Sequence, residues 1–320
     1  MTACSSTGQW LEDSANHRGW HPGLTRTETP ATPWRARCAS HLSMDKLSSA
    51  KAGSPHGAKQ QHRRMSAAIA TEQLTRHFEG FCAVDHIDLR VERGTFYGFL
   101  GPNGAGKSTT IKMLTGLMAP SSGFARVLGK NVFEPDEALE VKRMIGVVPE
   151  NLALFDYLTA REYLTFVGRM YLMPIATIRQ RIEELLHLLG LEEADKKLTI
   201  EYSHGMKKKL ALGAALLPGP ELLFLDEPFE GVDAVASRTI RGMLADYVRR
   251  GSTVFLTSHV LDVVEKLCTH VGIIAGGKLV EQASLDEIRR GGTLEERFLQ
   301  RVGASAEVAK KLSWLEETPA

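Results

Sequence analysis

The chain has 320 residues, 43% hydrophobic and 24% charged, with a formal net charge of +1: an ordinary globular composition, long enough for one large or two medium domains. Residues 1–64 hold 9 of the 39 Lys/Arg and 4 of the 38 Asp/Glu, so the remainder is mildly acidic at 30 against 34, which argues against a nucleic-acid footprint. Cys4, Cys38, Cys82 and Cys268 have neither metal-ligand nor disulfide-framework spacing, so reduced thiols are expected. No run approaches the roughly 18 apolar residues of a membrane span, so a membrane role would need a partner chain.

Residues 1–64 are rich in Ser, Thr, Pro, Gly, Arg and His without an apolar period, and such a segment buries too little surface to offset its ordering entropy. It is expected to be a disordered, dispensable extension, with Met65 as the working start. Its Arg- and Ser-rich, acid-poor make-up suits a targeting sequence, but it lacks an amphipathic helix and contains several prolines.

From Ala67 the pattern changes. ATEQLTRHF and FCAVDHIDLRVERG alternate as strands do, and TFYGFLG is an apolar run stopped by glycine. Residues 107–118 read as a helix, and GFARVLG and RMIGVVP as strands; 159–217 is mostly helical, with apolar residues at i, i+3 and i+4. Strand-like ELLFLDE, STVFLTS and VGIIAGGKLVE then alternate with helices over 234–250 and 260–267. Alternating strands and helices predict an α/β fold with a mostly parallel sheet and a helical insertion; no internal repeat is present.

The chemistry starts at GPNGAGKS, Gly101 to Ser108, which fits G-x-x-x-x-G-K-[ST] between a predicted strand and a predicted helix. Gly101, Pro102, Asn103, Gly104, Ala105 and Gly106 form a loop whose backbone N–H groups can close around phosphates, at the positive end of a helix. Lys107 supplies a point charge for the β- and γ-phosphates, and Ser108, followed by Thr109, offers a hydroxyl to Mg²⁺. Farther on, the apolar run LLFLDEP ends in two carboxylates. Asp226 is placed to hold the Mg²⁺ shell and Glu227 to take a proton from attacking water.

Together these residues resemble the ATP-binding subunit of ABC transporters, over roughly residues 67–300. SHGMKKK stands just before the acidic strand, where the family has its signature motif, giving Ser203, His204 and Gly205. FEGVD looks like the D-loop, with Asp233 at its acid; LTSH ends at the switch-histidine position, His259; VVPE ends at the Q-loop position, Glu150; and Phe78 looks like the aromatic that stacks on adenine.

The resemblance implies a P-loop NTPase of the ABC ATPase fold: a mostly parallel sheet core, an antiparallel β subdomain and a helical subdomain. The ATPase domain is expected over 65–285, the helical subdomain at about 151–217, and a short helical tail over 286–320. ATP and Mg²⁺ are the implied cofactors, with Ser108, Glu150 and Asp226 toward the metal and Glu227 and His259 catalytic. The implied partners are a second ATPase subunit and an integral-membrane permease on a separate chain, which would hold this chain on the inner face of the cell membrane. The nearest subgroup is the bacterial ABC-2-type exporter ATPases, and no nucleic-acid partner is expected. The alternative, a soluble ABC ATPase of translation or DNA maintenance, usually needs a second cassette, a long coiled coil or a zinc-bearing insertion.

Two residues depart from the family pattern. Glu150 replaces Gln, which keeps an oxygen for the metal but adds charge beside the phosphates. His204 replaces Gly at the signature, and either turns away from ATP or adds a donor to the γ-phosphate. A Ser203–His204 nucleophile pair is excluded because neighbouring residues rarely face each other and another constellation carries the chemistry. Lys207, Lys208 and Lys209 are separated by about 100° each around a helix, so they do not form one basic patch.

Overall fold

The computed structural model describes residues 67–303; the expected extension over 1–64 and the end of the expected tail lie outside the described residues. An antiparallel sheet is built from β1 (Ala67–Phe78), β2 (Phe81–Ile87), β3 (Arg90–Glu92), β5 (Ser122–Val127) and β6 (Lys130–Asn131). A second sheet contains β4 (Phe96–Leu100), β7 (Ile145–Val148), β8 (Leu222–Asp226), β9 (Thr253–Ser258), β10 (His270–Ala275) and β11 (Lys278–Ser284), in the order β11-β10-β4-β9-β8-β7. Every pairing in it is parallel except β10 with β11. The expected architecture of parallel core, antiparallel β layer and helical layer is the one observed.

The central strands are buried on both faces, which is why they read as continuous apolar runs rather than alternations. In β4, Tyr97 and Phe99 enter one hydrophobic cluster and Phe96 and Leu100 the other. Tyr97 stacks on Phe255 of β9 at 5.5 Å between ring centroids, and Phe224 of β8 meets the same ring at 5.6 Å. Each such ring contributes about 1.5–3 kcal/mol through burial, so this row holds β4, β8 and β9 in fixed relation. Those are the three strands whose C-terminal ends carry the predicted chemistry.

Five helices connect the strands up to β8: α1 (Lys107–Leu114), α2 (Pro135–Met144), α3 (Ala160–Met170), α4 (Ile175–Leu189) and α5 (His204–Leu216). Then come α6 (Ala234–Arg249), α7 (Leu261–Leu267), α8 (Leu285–Arg290) and α9 (Leu294–Val302). Helices α3, α4 and α5 enclose a core of their own, with Leu164, Ile178, Ile182, Leu186 and Leu210 buried in it. A capping box from Thr159 to Glu162 starts α3, and Gly190 in the left-handed conformation ends α4. Gly168 is required for their contact, since a Cβ there would stand 2.7 Å from Ile178 Cγ1. Helix α2 was not expected from the sequence; its single buried residue, Val141, leaves no apolar stripe to read.

Candidate active site

The loop Gly101–Gly106 leaves the buried end of β4 and turns into α1. Gly106 stands at the helix N-cap with φ 106°, and no side chain caps the helix, so the first-turn N–H groups remain available to an anion. Only glycine fits there: a Cβ on Gly106 would lie 2.4 Å from the Ala83 carbonyl oxygen. Lys107 folds back over the loop, its Nζ donating to the carbonyls of Gly101 at 2.7 Å and Pro102 at 3.3 Å.

The acidic pair lies across from it. Asp226 ends β8, buried, and accepts a hydrogen bond from Thr257 Oγ1 of β9 at 2.5 Å. The same hydroxyl accepts from the Glu227 N–H at 3.1 Å, so one side chain fixes both carboxylate residues. Glu227 has φ 48°, a conformation that costs a non-glycine residue of order 1–3 kcal/mol and that collects at functional sites. Its Oε2 lies 3.1 Å from His259 Nδ1, and its Oε1 is 3.7 Å from Lys107 Nζ. That Oε1 is buried without a hydrogen-bond partner among the described residues.

These groups open on one cleft of about 450 Å³. Of the predicted site residues, Phe78, Asn103, Gly104, Ala105, Gly106, Lys107, Ser108, Thr109, Glu150, Glu227 and His259 line it. Gly101 and Pro102 support it from behind through their carbonyls, and Asp226 adjoins it as the buried residue before Glu227. Sequence reasoning missed three lining residues: Phe81, Ala83 and Glu230. Phe81 pairs directly with Phe78 across the β1–β2 hairpin, and the Glu79-Gly80 turn between two aromatics was the available signal. The Arg76 guanidinium sits 4.8 Å from the Phe78 ring centroid, supporting that ring by a cation–π contact.

Ser203, His204, Gly205 and Asp233 do not line this cleft. Ser203 caps α5, its hydroxyl accepting from Met206 N–H at 3.2 Å, and Asp233 caps α6, accepting from Ala236 N–H at 2.8 Å. The His204 ring rests on Gly231, where an added Cβ would come within 2.7 Å of His204 Cδ2. The three lysines diverge as expected: Lys207 Nζ lies 3.9 Å from Asp156, Lys208 Nζ donates to the Glu227 carbonyl at 2.7 Å, and the charge of Lys209 acts on Asp233.

A phosphate cradle on one strand, an acidic pair on the next but one, and a histidine on the strand between them make this a P-loop nucleoside triphosphatase. Comparison with known proteins narrows the class. A family model described as ABC transporter matches residues 84–230. The bacitracin transport ATP-binding protein BcrA of Bacillus licheniformis is 40% identical over 229 residues, covering 71% of this chain and 72% of that protein. The daunorubicin/doxorubicin resistance ATP-binding protein DrrA of Streptomyces peucetius is 37% identical over 249 residues, 77% of this chain and 74% of that one. Among solved structures, the ATP-binding subunit of an ABC transporter superposes with a TM-score of 0.68 at 29% identity, covering 73% of this chain and 98% of the other. A bacterial ABC transporter cassette solved as a dimer gives a TM-score of 0.64 at 24% identity, over 68% and 98% of the two chains, and speaks for the fold. The chain belongs to the ABC transporter family, as an ATP-binding and ATP-hydrolysing subunit.

Proposed function

We propose that this ATPase drives export by closing with a second cassette over two ATP molecules and passing the motion to a separate integral-membrane permease. The observation that carries the reading is the meeting of Lys107, Glu227 and His259 at the ends of three adjacent strands. The ATPase domain is taken as 65–285, with its helical subdomain at about 151–217 and a tail from 286.

In the hydrolytic step, the N–H groups of the Gly101–Thr109 segment and the Lys107 ammonium hold the phosphates, with Phe78 and Phe81 flanking the adenine end. Glu227 takes the proton of the attacking water, and His259 keeps that water and the γ-phosphate in line. The unpartnered Oε1 of Glu227 suits such a proton acceptor. Ser108, Glu150 and Asp226 offer the hard oxygen donors that suit Mg²⁺. Among the described residues no group of three or more His, Cys, Asp or Glu forms a metal cage, which fits an ion that keeps waters and substrate oxygens in its shell. When bound, it would neutralise charge on the β- and γ-oxygens. Glu150 in place of Gln would still offer the metal an oxygen, and we propose that it alters coupling to transport. Unchanged metal dependence, hydrolysis and transport in Glu150→Gln would remove that idea.

The first turn of α5, at Ser203, His204 and Gly205, faces the γ-phosphate held by the second subunit, the His204 side chain either turning away from it or adding a donor to it, and Asp233 stands at the D-loop position of the same interface. The first turn of α5 offers the phosphate N–H groups and the Ser203 hydroxyl, which can donate outward while accepting from Met206. The permease docks on the helical subdomain around 151–173, where an apolar groove of about 440 Å³ is walled in part by Leu152, Leu154, Tyr163, Val167 and Tyr171. That contact holds the chain on the cytoplasmic face of the membrane. Among the described residues no helix is long and apolar enough to cross a membrane, so the membrane-spanning part is assigned to the partner.

The test is ATP hydrolysis by the purified chain together with copurification of a multi-span membrane protein. Hydrolysis stimulated by ribosomes or DNA, without a membrane partner, would replace this reading with the soluble one.

A further inference from the structure

Two lysines are buried among the described residues, Lys107 and Lys208. The phosphate loop accounts for the first and leaves the second without a task. Lys208 stands on the second turn of α5, 3% exposed, and donates through Nζ to the main-chain carbonyl of Glu227 at 2.7 Å, with Glu230 Oε2 at 4.0 Å. Burial pushes its ammonium below the ordinary lysine range, while the carboxylates of Glu230, Glu227, Glu150 and Asp226 draw it back up. A methionine or leucine would fill the same space without desolvating a charge, so the position is not explained by packing.

The residue it holds is the strained one. Glu227 N–H is tied to Thr257 Oγ1 and Glu227 C=O to Lys208 Nζ, so both peptide groups of the φ 48° residue are pinned by side chains from other elements. The first turn of α5 also reaches the far end of the same segment, where His204 rests on Gly231 and a Cβ on Gly205 would lie 3.4 Å from the Gly231 carbonyl oxygen. Helix α5 therefore grips the stretch Glu227–Gly231 at both ends.

We infer that Lys208 is a positioning residue that keeps Glu227 in its left-handed conformation, so that the carboxylate points into the cleft beside His259. Because it stands one turn from Ser203–Gly205, it ties the base of this chain's site to the nucleotide held by the second cassette. The inference rests on Glu227 being the base and on the first turn of α5 facing the second subunit.

The experiment is steady-state hydrolysis and direct binding of a fluorescent ATP analogue by the full chain carrying Lys208→Met, Lys208→Arg or Lys208→Gln, with thermal unfolding followed for each. Lys208→Met should lower kcat by about 10²-fold, the scale of a misplaced catalytic group, with analogue affinity kept within about threefold by the intact phosphate loop. Lys208→Arg should recover most of the rate, and Lys208→Gln, which keeps a donor without the charge, an intermediate part. An unchanged kcat in Lys208→Met overturns the inference. So does a parallel fall in rate and affinity; should Lys208→Met not fold, the same outcomes are read from Lys208→Gln. In a Glu227→Gln background, Lys208→Met should cost no further rate, since the two act as one unit; an additive loss counts against the tie. Full hydrolysis by Glu227→Gln alone would instead remove the assignment of Glu227 as base.

Discussion

Two helix starts in this molecule are both proposed to face phosphate and differ in state. At α1, Gly106 in the left-handed conformation leaves the first turn uncapped, facing a cleft whose other walls the same chain supplies. At α5, Ser203 satisfies one N–H with its own side chain, and the first turn lies off the cleft against Gly231. The uncapped start has its ligand surroundings built in; the capped one has one of its own N–H groups satisfied and, on the proposed reading, needs a second surface to complete a site. On that reading, the difference makes nucleotide binding a property of one chain and hydrolysis a property of two.

The strongest break separates chemistry from binding within the complete site. Glu227→Gln should lower kcat roughly 10²–10⁴-fold, the range for losing a general base, while equilibrium binding of ATP by the single chain persists. Next comes Lys107→Ala. It removes a charge-assisted contact worth about 1.5–3 kcal/mol, so Kd for ATP, measured on the single chain, should rise about ten- to a hundredfold or more.

At the capped start, Ser203→Ala should cost about 1 kcal/mol of stability from the lost N-cap. ATP binding by the single chain should stay the same, while ATP-induced dimerisation, followed by light scattering, weakens. His204→Gly and His204→Ala compared in the same assay show whether the ring serves the phosphate or only its contact with Gly231.

The smallest effect is at Asp233. The Ala236 N–H, followed by weaker influences that include Lys209, holds its carboxyl below the ordinary 3.8. Its contribution is therefore complete above that value and lost as pH falls through the lower folded-state value. The protection of the Ala236 amide relative to its intrinsic exchange rate should fall on acidification through that window, and Asp233→Asn should abolish that acid dependence.

Much of the fold was legible because its signals are local. The doubly buried strands β4, β8 and β9 read as apolar runs, and the phosphate loop declares itself by glycines whose conformations no other residue supplies. What escaped depends on contacts distant in sequence. Nothing in DEP marks Glu227 as left-handed, since that conformation is enforced by Thr257 and Lys208 from other elements. Lys208 was read only as one of three diverging lysines; its burial follows from where α5 packs, which periodicity does not reveal. Phe81 joined the cleft through hairpin register, a feature one residue of slippage would have reversed.

The strand order also sets a schedule for synthesis. β4, which launches the phosphate loop, pairs in its sheet with β9 and β10, whose residues begin at Thr253 and His270. A chain emerging from the ribosome therefore has the glycine loop and its lysine long before the strands that will flank them. The helices of residues 160–216, whose core is closed by near neighbours, have what they need much earlier, and local contacts form faster than distant ones. The nucleotide pocket is thus among the last parts of the molecule to exist, and a chain cut short before β10 would carry the whole ATP-binding motif with no finished site to place it in.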